Sequence, residues 1–132
     1  MANDPMSTVL AVSSDANDSQ VMQNILGEWK VKSARNCAEA LFMLRNADCS
    51  VVICDKELPD GSWRDLLSGM GRLLSAPPMV VMSRHADETL WAEVLERGGF
   101  DLLAKPLEGE EVQRVIPSAR TQGRPRHLVS HA

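Results

Sequence analysis

Five short apolar runs punctuate this chain, and between them hydrophobic positions recur at helical spacing. The runs cover residues 8–12, 29–34, 50–54, 79–82 and 102–104, the second being the weakest. The third ends on Asp55, the fourth on Ser83 and the fifth on Lys105-Pro106. Their apolar character is continuous rather than alternating, which predicts strands covered on both faces, as in a parallel sheet. The intervening segments predict helices. One spans 18–26, with Val21, Met22 and Ile25 on its apolar face and Gly27 closing it. The next, 36–45, opens on Asn36 with Glu39 three residues later, a variant capping box. A third, 62–74, carries Leu66, Leu67, Leu73 and Leu74 but is weakened by Gly69 and Gly71. A fourth, 87–97, starts on acids and ends on Arg97-Gly98-Gly99, and a fifth, 109–116, should be stopped by Pro117. This alternation predicts an α/β domain: a doubly wound parallel sheet between two helix layers.

Composition narrows the function classes. Hydrophobic residues make up 44% of the chain and aromatics only 4%, so the core must be aliphatic. A formal charge of −4 gives no field suited to nucleic acid. The three cysteines (Cys37, Cys49, Cys54) are odd in number and contain no Cys-x-x-Cys pair. That argues against a disulfide framework or a zinc site and fits the reducing cytoplasm. No apolar run approaches the roughly 20 residues needed to cross a bilayer. The polar start, with Asp4 and Pro5, is unlike a signal peptide. We expect a leader over 1–7, one folded domain over 8–119 and a flexible basic tail over 120–132.

Ligands of an open parallel sheet bind beyond the carboxyl ends of its strands. The residues there are Ser13, Ser14 and Asp15 after the first run, Asp55 after the third, Ser83 and Arg84 after the fourth, and Lys105 after the fifth. A carboxylate, a hydroxyl and an ammonium on one edge suit a phosphoryl group. The carboxylate would be the nucleophile, and the other two would hold the added oxygens.

The order Asp55…Ser83…Lys105-Pro106, with Leu58-Pro-Asp-Gly61 after the aspartate, resembles the receiver domain of bacterial response regulators. The resemblance runs from about Thr8 to Ala119. It implies a flavodoxin-like three-layer sandwich with strand order 2-1-3-4-5 and five helices. It further implies a non-enzymatic signalling module, monomeric or weakly dimeric, that works by protein contact. Asp55 would be phosphorylated by a histidine kinase or phosphotransfer protein, and a downstream signalling protein would read the result. Ser83 would be the switching hydroxyl and Lys105 the phosphate-binding cation. Mg²⁺ would be held by Asp55, the backbone carbonyl of Glu57 and an acidic pair after the first strand. Ser13 and Ser14 stand where that pair belongs, so weak Mg²⁺ binding is expected, with Asp15 or the Glu57 side chain as candidate substitutes. Arg84 is a candidate partner for Asp55 in place of the metal. Leu102 occupies the aromatic-switch position and has no ring to turn. A phosphorylation-independent pseudo-receiver is therefore the alternative. A small flavodoxin-like enzyme is a remote one, because residues 13–18 contain no glycine. With no output domain following in 132 residues, a stand-alone receiver is expected. Trp63, Trp91 and His85 complete the candidates: a rim or core tryptophan, a partner anchor or core tryptophan, and a loop histidine or proton shuttle.

Overall fold

The computed structural model describes residues 7–122; the predicted leader, except Ser7, and the tail from 123 onward lie outside the described residues. The elements in chain order are β1 (Thr8–Val12), α1 (Ala16–Ile25), β2 (Lys30–Ala34), α2 (Cys37–Asn46), β3 (Val51–Asp55), β4 (Glu57–Leu58), β5 (Gly61–Ser62), α3 (Trp63–Met70), β6 (Met79–Ser83), α4 (Glu88–Glu96), β7 (Asp101–Ala104) and α5 (Gly109–Gln122). Five strands form one parallel sheet in the order β2-β1-β3-β6-β7, which is the expected 2-1-3-4-5 order of the five apolar runs. The remaining two, β4 and β5, pair as a small antiparallel hairpin just after Asp55.

Side chains alternate across the pleat, so each buried strand feeds two cores. Val9, Ala11, Val51, Ile53, Val80 and Met82 pack with Met22 of α1 and the Val112, Ile116 and Ala119 stripe of α5. Leu10, Val12, Val52, Cys54 and Val81 pack on the opposite face with Ala40, Trp63, Leu66 and Val94 of α2, α3 and α4. The sheet therefore has no solvated face, which is why the sequence reads as continuous apolar runs.

Helix starts follow local chemistry. Asp15, Asn36, Ser62 and Asp87 each accept a backbone N–H at the start of α1, α2, α3 and α4, and Ser62 with Asp65 forms a full capping box. Two helix ends differ from expectation. The third helix stops at Met70 instead of reaching 74, because Gly69 and Gly71 weaken the last turn and Leu74 has no core to enter. The fifth runs through Pro117 to Gln122. An internal proline costs about 3 kcal/mol, but Ala119 beyond it is fully buried and Arg120 Nη1 donates to Ser7 Oγ at 2.9 Å while its guanidinium lies 5.5 Å from the Trp29 ring centre. Packing beyond the proline holds the helix, and Arg120, read from sequence as tail, belongs to the domain.

Gly61 turns the hairpin with φ +154°, and a Cβ there would lie 2.5 Å from Asp65 Oδ2. Gly61→Ala is expected to cost about 1–3 kcal/mol in urea unfolding, since it combines backbone strain with displacement of the capping carboxylate. A cost near zero would show that the hairpin relaxes freely.

Candidate functional site

Asp55 ends β3, the central strand, and its Oδ1 accepts the Lys56 N–H at 3.1 Å. Lys105 follows β7, joined to Pro106 by a cis peptide bond, and its backbone N–H donates to Ser83 O at 2.9 Å. That bond fixes where the lysine side chain starts, and its Nζ reaches 3.2 Å from Asp55 Oδ1. The same ammonium lies 3.0 Å from Asp18 Oδ2, on the first turn of α1. Ser13 Oγ donates to that oxygen at 2.7 Å and accepts the Asp15 N–H at 3.0 Å. The side chains of Lys105, Asp18 and Asp55 are only 7%, 10% and 20% exposed. Burial pulls the Lys105 pKa down, but the Asp18 hydrogen bond and the charges of Asp55 and Asp18 outweigh it and hold the lysine above its ordinary value.

Asp18 is the member of this cluster that sequence reasoning missed. It stands four residues before Met22 and eight before Leu26, both buried, so it lies on the core face of α1. That periodicity was the available signal; a charged residue at the foot of a helix reads more simply as a solvated first-turn acid.

The other candidates fall in different places. Ser83 is buried at the end of β6, next to β3 in the sheet, and its Oγ accepts the His85 N–H at 3.0 Å; among the described residues it makes no hydrogen bond to Asp55. Ser14 is exposed. Asp15 is exposed and capping α1, with Oδ1 accepting the Asn17 N–H at 2.9 Å. Glu57 is exposed and pairs with Ser62 in the hairpin. Arg84 is exposed and forms no ion pair with Asp55 among the described residues, because the turn begun at Ser83 carries it outward; the cation on Asp55 is Lys105. His85 is also exposed.

The Mg²⁺ that the resemblance implies does not fit this donor set. Mg²⁺ is bound through one or two carboxylates with several waters in near-octahedral geometry. Here Asp55 and Asp18 both point at one ammonium, and the strand-end hydroxyl of Ser13 is already committed to Asp18. Among the described residues no three of Asp, Glu, His and Cys are grouped so as to hold a metal ion.

Beyond the charged cluster, Trp63 is fully buried in the core. Trp91 on α4 is 48% exposed and donates from Nε1 to Asp101 Oδ1 at 3.2 Å, beside the half-buried Leu102. Arg64 of α3 donates to Glu93 of α4 through Nη2 at 2.7 Å, and that pairing, with help from Arg97, pulls the Glu93 carboxyl down to about 2. Burial holds the Cys54 thiol well above its ordinary range and raises those of Cys37 and Cys49 to about 11, so all three stay protonated at neutral pH.

Comparisons with known proteins bear on the family and the fold. A family model described as response regulator receiver domain matches residues 9–117. Response regulator protein PilR of Pseudomonas aeruginosa is 26% identical over 112 residues, covering 83% of this chain and 25% of that protein. A protein-glutamate methylesterase/protein-glutamine glutaminase of Rhodopseudomonas palustris is 36% identical over 104 residues, covering 69% of this chain and 27% of that protein. The chain thus spans about a quarter of the length of the curated relatives it matches. Among solved structures, the signal receiver domain of a putative Luxo repressor protein from Vibrio parahaemolyticus superposes with a TM-score of 0.81 at 16% identity, covering 88% of this chain and 91% of that one, a likeness of fold. No helix among the described residues is long and apolar enough to cross a membrane.

Proposed function

Because this chain belongs to the response regulator receiver domain family, we propose that it is a signalling module in which Asp55 accepts a phosphoryl group from a histidine kinase or phosphotransfer protein. The observation that carries this reading is the Asp55 carboxylate at the end of the central strand, with the Lys105 ammonium 3.2 Å from Oδ1. A carboxylate oxygen attacks phosphorus, and the donor group leaves with the bonding electron pair. Lys105 then neutralises charge on the phosphoryl oxygens, and the Ser83 hydroxyl on the adjacent strand end supplies a hydrogen bond once it swings toward them. The module acts in the cytoplasm by protein contact with a downstream signalling partner and catalyses no reaction on a small-molecule substrate.

A second reading, a pseudo-receiver held in one state and working through binding alone, is favoured by one observation: the site ammonium is shared with Asp18 before any phosphate arrives. Incubation with a small-molecule phosphodonor, with and without Mg²⁺, followed by intact mass measurement separates the two. The acceptor reading expects one added phosphoryl group that disappears in Asp55→Asn. No adduct under either condition supports the pseudo-receiver.

A further inference from the structure

The Asp18 carboxylate has no part in the acceptor chemistry, yet it is as buried as Lys105 and spends one oxygen on two donors. Ionised groups taken out of water must be compensated, by a metal ion or by a counter-charge from the protein. Compensation here comes from one ammonium reaching both carboxylates, at 3.0 Å from Asp18 and 3.2 Å from Asp55. We infer that Lys105, clamped by Asp18, is the resident counter-ion of this site, and that a divalent cation enters only by displacing it.

The geometry supports this at each corner. Lys105 Nζ donates one proton to Asp18 Oδ2 and sits within ion-pair distance of Asp55 Oδ1. Ser13 holds the Asp18 carboxylate from the other side, and the Asp15 N–H holds Ser13 Oγ in turn. A dication at Asp55 would bring its second carboxylate from Asp18, the one other acid on this ammonium, and so would compete with Lys105 for both. The acid absent from positions 13 and 14 thus reappears in the first turn of α1, facing a lysine instead of a metal. This deepens the receiver reading of the same site and rests on it for the role of Asp55. Its test reads cation binding and not phosphoryl transfer, so the two can fail separately.

The probe is Mn²⁺, followed by the loss of the free-ion electron paramagnetic resonance signal, on wild type, Lys105→Met and Lys105→Met/Asp18→Asn, each checked for folding by circular dichroism. Lys105→Met is expected to bind Mn²⁺ at least about tenfold more tightly than wild type, because two buried carboxylates lose their counter-ion. Adding Asp18→Asn should abolish that gain. Equal or weaker binding by Lys105→Met, or a gain that survives Asp18→Asn, overturns the proposal. Should the lysine variant not fold, acetylation of Lys105 in the wild type, read by peptide mass, decides the matter. Faster acetylation on Mn²⁺ binding, or no Mn²⁺ binding at all, supports a lysine that holds the cation position. Mn²⁺ bound while Lys105 stays protected overturns it.

Discussion

Trp63→Ala is expected to cost about 3–5 kcal/mol in urea unfolding, the range for deleting a buried tryptophan side chain. Trp63 is fully buried against the sheet in the core it shares with α2, α3 and α4 residues, so its loss leaves a cavity there. It is also the first residue of α3, and its backbone N–H donates to Lys56 O at 3.1 Å, so the segment following Asp55 rests on it. Against a total of about 5–15 kcal/mol for an ordinary domain, a loss of this size is a fifth or more of what holds the fold. Trp63→Phe should behave differently. The indole Nε1 finds no acceptor among the described residues, so phenylalanine gives up volume but no hydrogen bond to them. Its cost should stay at about 1–2 kcal/mol, well below that of alanine, because most of the ring volume is kept. A phenylalanine variant as damaged as the alanine one would show that the indole N–H has a working partner.

Most of the fold was legible because a sheet covered on both faces leaves a plain mark. All five runs became strands, in the expected order, and Asn36 and the acids before 90 capped the helices that they predicted. The failures share a cause. Pro117 and the glycines near 70 are local signals, and what decides such a position is the presence or absence of a core on its far side. Ala119 lies over the sheet and pulls α5 past its proline; Leu74 lies over nothing, and α3 ends early. The β4–β5 hairpin, two residues on each side, is too short to show any periodicity.

The site was legible in proportion to how far each residue depends on sheet topology alone. Asp55, Ser83 and Lys105 follow strands, and once the strands are parallel their ends must share one edge. Asp18 depends on the rotation of α1. The sequence predicts an apolar face of Val21, Met22 and Ile25; of these Met22 is the one fully buried, with Leu26 beside it, whereas Val21 and Ile25 are only partly covered, and that rotation brings Asp18 inward. Its partner lies 87 residues away, beyond anything local pattern can join. Arg84 shows the converse: a plausible cation beside the right serine, turned to solvent by the direction the chain takes after β6.

Lys105→Met should then be among the more damaging substitutions of a charged residue in this chain, at about 3–5 kcal/mol, because removing one member of a buried ion cluster strands the others. Two carboxylates share this ammonium, and Asp18, at 10% side-chain exposure, is the more costly to leave behind; Asp55, at 20%, keeps more access to water. Asp18→Asn added to Lys105→Met removes the worse of the two stranded charges and should recover about 1–2 kcal/mol, a coupling typical of residues in direct contact. The dependence on pH has a definite sign. The folded-state pKa of Lys105 is raised above that of an unfolded lysine, about 10.4, so its contribution is complete below that value and is lost as pH climbs through the higher folded one. On the alkaline side, the stability gap between wild type and Lys105→Met should therefore hold from neutral pH upward and narrow above about pH 10. A gap under about 1 kcal/mol at neutral pH, or one that added salt erases, would place the cluster among screened surface pairs and remove the ground for treating Lys105 as a fixed counter-ion.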